Sequence, residues 1–385
     1  MKIGYVTLYD STDVHNWSGT GLFIRNALVT GGHEVFSVGP VDDGFIPLWL
    51  RLLRLIEKKR GKVYLVERNL YIAKRFAKRA EVLFPEKCDL IFSPGSIPVA
   101  MINNGVPRVI YADATFGGMI GYYDTFKKLS KLTIDSGMKL DTVTFSNCEA
   151  SVFASQWAAQ SAISLHHADP SRVHVVPFGA NLETPPDFET VRSAVVSRSA
   201  AVCNILFWGV DWERKRGRFT MKVVETLRKS GVDAHLHIVG LSTLPIEAKA
   251  DYIVNHGFLS KKNAKQNAQL EKLLLQMHFL VLPTVAEAFG LVFAEASAYG
   301  IPSLAPRTGG VSSVIKEGRN GFLFDLEKTG PDVYAAKVLE IFKSQDRYIE
   351  IAISSRRDFD ERLNWGVAGK MLDRIIREVV DNKVK

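Results

Sequence analysis

The chain has 385 residues, 46% of them hydrophobic, and its 49 Lys and Arg outnumber 41 Asp and Glu for a formal charge of +8. That length exceeds one small core and fits two domains of ordinary size, while no apolar run approaches the ~20 residues of a helical membrane span. Cys88, Cys148 and Cys203 stand far apart without metal-ligand spacing, which excludes a disulfide scaffold and points to buried thiols in a reducing compartment.

The first predicted element is a strand over residues 3–8, which follows Met1-Lys2 too directly for a secretion signal. Trp17-Ser18-Gly19-Thr20-Gly21 then opens a helix over residues 22–30. This turn could hold a phosphate as a dinucleotide-binding fold does, with Asp42 and Asp43 following a second strand over 34–39, but Ile24 stands where the third glycine of G-x-G-x-x-G belongs. From Arg51 to Arg79 eleven cations meet only Glu57 and Glu67, and Leu48 to Ile56 is amphipathic and basic. Such a segment is either a membrane-surface helix or an ordinary helix with a core stripe and a solvated face. Strands over 89–93, 108–112, 142–146 and 173–177 complete this half. Asp113, at the end of the 108–112 run, reads as a helix cap or as a catalytic carboxylate.

Asn181 to Ser199, with Pro185-Pro186 and a Ser/Arg-rich tract, reads as the linker at the domain boundary. Strand-like runs over 203–210, 235–239, 253–258, 279–283 and 321–324 alternate with helical ones, which implies parallel sheets with helices on both faces. Ligands of such sheets sit at the carboxyl ends of the strands, so two facing halves would form a cleft. After the 203–210 strand comes Gly209-Val210-Asp211-Trp212-Glu213-Arg214-Lys215-Arg216-Gly217, whose three consecutive cations could neutralise a diphosphate.

After the 279–283 strand comes Glu287-Ala288-Phe289-Gly290-Leu291-Val292-Phe293-Ala294-Glu295. Gly290 is expected at a helix start, where free N–H groups and the positive end of the helix dipole favour an anion and a missing side chain lets it approach. Glu287 and Glu295 would repel that anion and accept hydrogen bonds from hydroxyls on either side of it. A sugar ring on one flank and a ribose on the other describe a nucleotide sugar. Thr308-Gly309-Gly310 could bring backbone amides to the sugar, whereas Glu317 to Gly321 reads as structural. Residues 364–380 carry the spacing of a long amphipathic helix.

Together these segments resemble a retaining glycosyltransferase of the GT-B fold, with two Rossmann-like domains, in the large group called family 4. Glu287 to Glu295 is similar to that family's E-x7-E signature, with Phe289-Gly290 in the usual E-x-F-G form. Asp211-Trp212-Glu213-Arg214-Lys215 resembles the D-W-x-R-K loop of a subset, and Val176-Pro177-Phe178-Gly179-Ala180-Asn181 resembles its interdomain segment. Ser155-Gln156-Trp157-Ala158 and Ser18-Gly19-Thr20 are also similar to family patterns. The sequence departs from them at Val210, where many members carry a diphosphate-binding Arg, at Asp113, near where many place a His, and at Ser312-Ser313, which replaces a frequent Pro-Glu.

The resemblance implies an acceptor-binding domain over 1–182, a donor-binding domain over 200–360 and a C-terminal helix over 361–385 that crosses back to the first. Lys215, with Arg214, would grip the diphosphate beside Gly209, and Glu287 would hold donor-sugar hydroxyls. Phe289, Gly290, Leu291 and Val292 would present amides to phosphate or sugar, and Glu295 would bind the ribose. Phe258 and Leu259 would flank the base, and Gly19, Thr20 and Gly21 would meet the phosphates from the other domain. No metal and no cofactor is expected beyond the nucleotide-sugar donor, with UDP-sugars first and GDP-mannose second. The acceptor would be a glycan, a lipid or a lipid-linked saccharide. The expected setting is cytoplasmic, with peripheral contact of residues 48–79 to an anionic inner membrane face and no nucleic-acid partner. Two other readings stay open: an NAD(P)-dependent oxidoreductase built on the Gly19–Gly21 turn, and a non-catalytic anion- or membrane-binding protein.

Overall fold

A computed structural model describes residues 1–13, 16–85 and 87–384. The chain divides into two compact units, one comprising Met1–Asn181 together with the segment from Trp365 onward, the other Leu182–Asn364.

In the first unit six parallel strands, β1 (Lys2–Val6), β2 (Glu34–Val38), β3 (Leu90–Ser93), β4 (Arg108–Ala112), β5 (Ala150–Phe153) and β6 (Val173–Val175), lie in the order β2-β1-β3-β4-β5-β6. The order reverses between β1 and β3, so their carboxyl ends diverge and leave a crevice there. Both faces of the sheet are covered, and β3 and β5 are buried along their whole length. Tyr5 and Tyr111 lie wholly inside, and each hydroxyl finds a backbone carbonyl, Gly21 O at 2.7 Å and Val176 O at 2.9 Å. Tyr5 thereby fastens the first turn of the helix Thr20–Thr30 to β1.

The segment read as a strand over 142–146 is instead part of the helix Lys131–Asn147, and the strand follows it as β5. The β-branched content of Thr142 to Thr144 is overruled by local caps and tertiary partners. Ser130 accepts from Thr133 N–H at 3.2 Å, and buried Asp141 takes hydrogen bonds from Arg68 Nη1 and Phe116 N–H at 2.8 and 2.7 Å.

The second unit holds β7 (Val202–Trp208), β8 (Asp233–Val239), β9 (Ile253–Asn255), β10 (Phe279–Val281), β11 (Ser303–Pro306) and β12 (Gly321–Phe324), all parallel, in the order β9-β8-β7-β10-β11-β12. Counted within the unit this is 3-2-1-4-5-6, the dinucleotide-binding order, with its switch point between β7 and β10. The expected linker is not irregular: Phe188–Ser197 is a helix, capped by Asp187, and it belongs to this unit. Buried Arg198 ends it by donating to the carbonyls of Leu275, Gly300 and Tyr299 and to the Tyr348 hydroxyl at 2.6–3.0 Å. A Ser/Arg-rich tract thus folds because its arginine is saturated with buried acceptors.

Candidate functional site

The second unit's switch point gathers the segments that the sequence singles out. β7 runs into the loop Gly209–Arg216, and β10 into Thr284–Gly290, and the two loops are laced together: Val285 N–H donates to Arg214 O at 2.9 Å and Arg214 Nη1 to Ala286 O at 2.6 Å. Lys215 Nζ lies 2.8 Å and Arg214 Nη1 3.1 Å from the same oxygen, Glu287 Oε1. Lys215 is buried. Burial raises the Glu287 carboxyl, but the Lys215 ammonium and the Arg214 guanidinium outweigh it and hold the group below its ordinary range, ionised at neutral pH. The carboxylate assigned to sugar hydroxyls is therefore also the anchor that orders both cations. Asp211 steadies Arg214 from the other side, Nε to Oδ2, at 3.2 Å.

Three glycines allow this approach. A Cβ at Gly209 would fall 2.2 Å from Lys215 Cδ, one at Gly240 2.6 Å from Gly209 O, and one at Gly310 1.9 Å from Ala288 O. Gly310 N–H donates to Glu287 O at 3.0 Å, so the Thr308–Gly310 turn buttresses the glutamate loop from behind. Arg216 closes the cation loop in a left-handed conformation (φ 53°), a strain of about 1–2 kcal/mol for a side-chain-bearing residue. Gly217, next to it, packs against the Trp212 ring so closely that a Cβ would lie 2.0 Å from it.

Gly290, at φ 94°, starts the helix Leu291–Ala298, and no side chain caps that helix. Its first N–H groups, at Leu291 and Val292, find no carbonyl within the helix and carry the positive end of its dipole. Glu295 is buried one turn further on and pairs with Lys261. Lys261 Nζ also lies 5.4 Å above the Trp208 ring. Nothing in the sequence marks Lys261 as a site residue. Lys261-Lys262 after β9 looks like any solvated pair, and only the fold brings it to Glu295. Phe258, exposed, and Leu259, half-buried, follow Gly257 (φ 69°), whose carbonyl accepts from Gly240 N–H at 2.8 Å.

Asp113, Gly19, Thr20 and Gly21 belong to the first unit. Trp17, Ser18 and Gly19 are successive left-handed residues with φ 48°, 55° and 81°. Asn181 stabilises this strained turn, its Nδ2 donating to Ser18 O at 2.9 Å and to Thr20 Oγ1 at 3.1 Å. Trp365 Nε1 in turn donates to Asn181 Oδ1 at 3.1 Å, while its ring lies along Phe23 and Phe178. Asp113 accepts from Trp17 Nε1 at 3.3 Å and lines a cavity of about 200 Å³ at the β1/β3 switch point, with Tyr9, Arg68 and Ser96. Burial, then the Asp113 carboxylate, push the Tyr9 phenol up to about 12. Among the described residues no group of three or more His, Cys, Asp or Glu is placed to hold a metal ion.

Residues 203–344, all within the second unit, match the family described as glycosyl transferases group 1. A D-inositol 3-phosphate glycosyltransferase of Arthrobacter sp. (strain FB24) is 30% identical over 183 residues, which are 44% of this chain and 42% of that protein. The match thus spans less than half the length of this relative. Solved structures align over the whole chain at low identity. Sucrose-phosphate synthase from Thermosynechococcus elongatus has a TM-score of 0.66 at 14% identity, covering 99% of both chains. HepE of Anabaena, in complex with UDP-glucose, has a TM-score of 0.60 at 14% identity, covering 99% of this chain and all of that one. The two parallel sheets and these full-length alignments define a two-domain GT-B fold. The relatives and structures named here do not favour an oxidoreductase or a non-catalytic binder.

Proposed function

We propose that the protein is a glycosyltransferase that moves a sugar from a nucleotide diphosphate to a hydroxyl of a glycan, lipid or lipid-linked acceptor, with retention at the anomeric carbon. The observation that carries this reading is the convergence of Lys215 and Arg214 on Glu287 beside the uncapped helix start at Gly290. Two cations and a set of bare amides at one switch point suit the diphosphate of a leaving group, and prearranged charge of this kind lowers the barrier without reorganisation. The match to glycosyl transferases group 1 over the same unit supports it.

In this reading Lys215 and Arg214 take up the charge that builds on the diphosphate as the bond from the anomeric carbon to the phosphate oxygen breaks. The acceptor oxygen bonds to the same face of that carbon, and its proton passes to the departing phosphate oxygen. Glu287 holds donor-sugar hydroxyls, and Glu295, set by Lys261, holds the ribose. Phe258 and Leu259 border the base, and the acceptor lies in the first unit's cavity beside Asp113. UDP is favoured over GDP-mannose, in keeping with the UDP-glucose bound to HepE. The two cations supply positive charge at the diphosphate, so turnover is expected to persist in a chelator. Three cysteines without disulfides, Cys148 and Cys203 buried as expected and Cys88 only half-buried, fit a reducing, cytoplasmic setting.

The test is a panel of UDP- and GDP-sugars with glycan and lipid acceptors, followed by release of nucleoside diphosphate and by NMR of the new anomeric centre. Release that requires acceptor and yields the donor's anomeric configuration is expected. Inverted product would overturn retention, and failure of every nucleotide sugar to bind or turn over would overturn the reading itself.

A further inference from the structure

In the helix Leu48–Lys59 the apolar stripe does not face the core. At about 100° per residue, Leu48, Trp49, Leu52, Leu55 and Ile56 fall within one arc of roughly 120°, and all five are between 47% and 71% exposed. The buried side of the helix is the opposite one, held by Leu50 and Glu57. Five large apolar side chains on one exposed helical face form a patch of the kind soluble monomers seldom leave open.

Cations border this stripe on both sides. Arg51 and Lys58 occupy one flank of the same helix and are exposed, and Lys59, also exposed, ends the stripe itself. On the other flank Trp49 meets the exposed Tyr71 ring, centroids 6.0 Å apart, at the start of the helix Leu70–Leu83. That helix turns Lys74 and Lys78 outward. Arg75 and Arg79, half-exposed, are tied to Asp43, and Arg75 lies 4.4 Å from the ring centre of Phe45, itself exposed. Of the eleven cations in residues 48–79 only Arg68 is turned inward, onto Asp141; the other ten, set against Glu57, Glu67 and Asp43, leave 10 − 3 = +7 on this side of the unit.

We infer that this face is a docking surface for an anionic lipid bilayer, with the helix Leu48–Lys59 lying in the plane of the interface. Trp49, Leu52, Leu55 and Ile56 enter the acyl boundary, and the flanking cations reach the headgroups. The charge complementarity selects this occupant. A second copy of the chain would bring the same positive rim against itself, whereas a bilayer of acidic lipids offers apolar depth and negative charge in the same order as the helix. Among the described residues no helix is long and apolar enough to cross a membrane, so attachment is from one side. The inference stands on the first unit alone and is independent of the sugar-transfer reading.

The test is flotation of the full chain with vesicles of phosphatidylcholine alone or with 40% phosphatidylglycerol, in low and high salt. Wild type is expected to float with the acidic vesicles in low salt, and at least tenfold less with neutral vesicles or in high salt. Trp49→Ser with Leu52→Ser and Leu55→Ser, and separately Lys58→Glu with Lys74→Glu, should each cut flotation at least tenfold while thermal unfolding stays at the wild-type temperature. These sites are exposed, so the fold tolerates the changes; should the triple variant unfold, the charge-reversed one decides. Failure of wild type to float, flotation untouched by both variants, or a wild-type dimer in sedimentation that the triple variant dissociates would each overturn the inference.

Discussion

Replacing Gly209 by alanine should weaken anion binding without removing a charge. The new Cβ would lie 2.2 Å from Lys215 Cδ and 2.6 Å from Cε, so the lysine side chain must swing away. Its ammonium then leaves the position 2.8 Å from Glu287 Oε1 where it stands beside Arg214. A hydrogen bond to a charged partner contributes about 1.5–3 kcal/mol, and Lys215 is too buried for solvent to screen it strongly. The expected loss is about 10- to 100-fold in Kd for a nucleoside diphosphate, and Lys215→Ala should match it. Glu287→Gln should move affinity the other way, because it deletes a negative charge held ionised beside two cations. The same change should lower turnover by about 10²–10³ if the carboxylate also holds the sugar as proposed, read from release of nucleoside diphosphate. Calorimetric titration with UDP and GDP measures all three, and thermal unfolding confirms that each variant folds. Equal affinity in wild type, Gly209→Ala and Lys215→Ala, or weaker binding by Glu287→Gln, would refute the assignment of this loop to a diphosphate.

Gly310→Ala places a Cβ 1.9 Å from the Ala288 carbonyl oxygen and 3.0 Å from Phe289 Cα, so the glutamate loop itself must shift. Overpacking of this kind costs about 1–3 kcal/mol, and a lowered unfolding temperature together with at least tenfold weaker nucleotide binding is expected; unchanged binding would show that the loop does not contact the ligand. Two histidines give the second unit a pH dependence. Burial lowers His237 and His278 from 6.5 to about 4, with His256 beside the first and Arg198 beside the second adding to it. The neutral His278 ring accepts from Asn204 N–H at 3.1 Å and donates to Ser199 O at 2.9 Å. Between these two values the unfolded chain binds protons that the folded one refuses, so stability is full above about 6.5 and falls as pH drops toward 4. The slope is about 1.4 kcal/mol per pH unit for each ring. Urea titrations between pH 7.5 and 5 should show it, and the paired variants His237→Asn and His278→Gln should flatten it.

The two loops at the second switch point were legible because their chemistry is local. Glycine at 209 and 290, cations at 214 and 215 and carboxylates at 287 and 295 sit next to strand-like runs, and a strand's carboxyl end fixes where they emerge. β5 and β11 were missed for the opposite reason. Ala150–Phe153 and Ser303–Pro306 are four-residue segments with small or proline residues, and their burial comes from neighbouring strands rather than from a pattern of their own. Lys261 escaped notice because its partner Glu295 is 34 positions away. Periodicity revealed the stripe on Leu48–Lys59 but not whether anything covers it, since an amphipathic pattern reads the same against a core and against lipid.

Asn181 and Trp365, joined by a 3.1 Å hydrogen bond, are also the last residue before and the first residue after Leu182–Asn364. The chain therefore leaves and re-enters the first unit at one spot, and the whole second unit is an insertion between two pinned ends. Excising it and bridging Asn181 to Trp365 asks a short glycine linker to span no more than the reach of the two joined side chains, so a minimal version of the first unit, returning helix included, is open to construction.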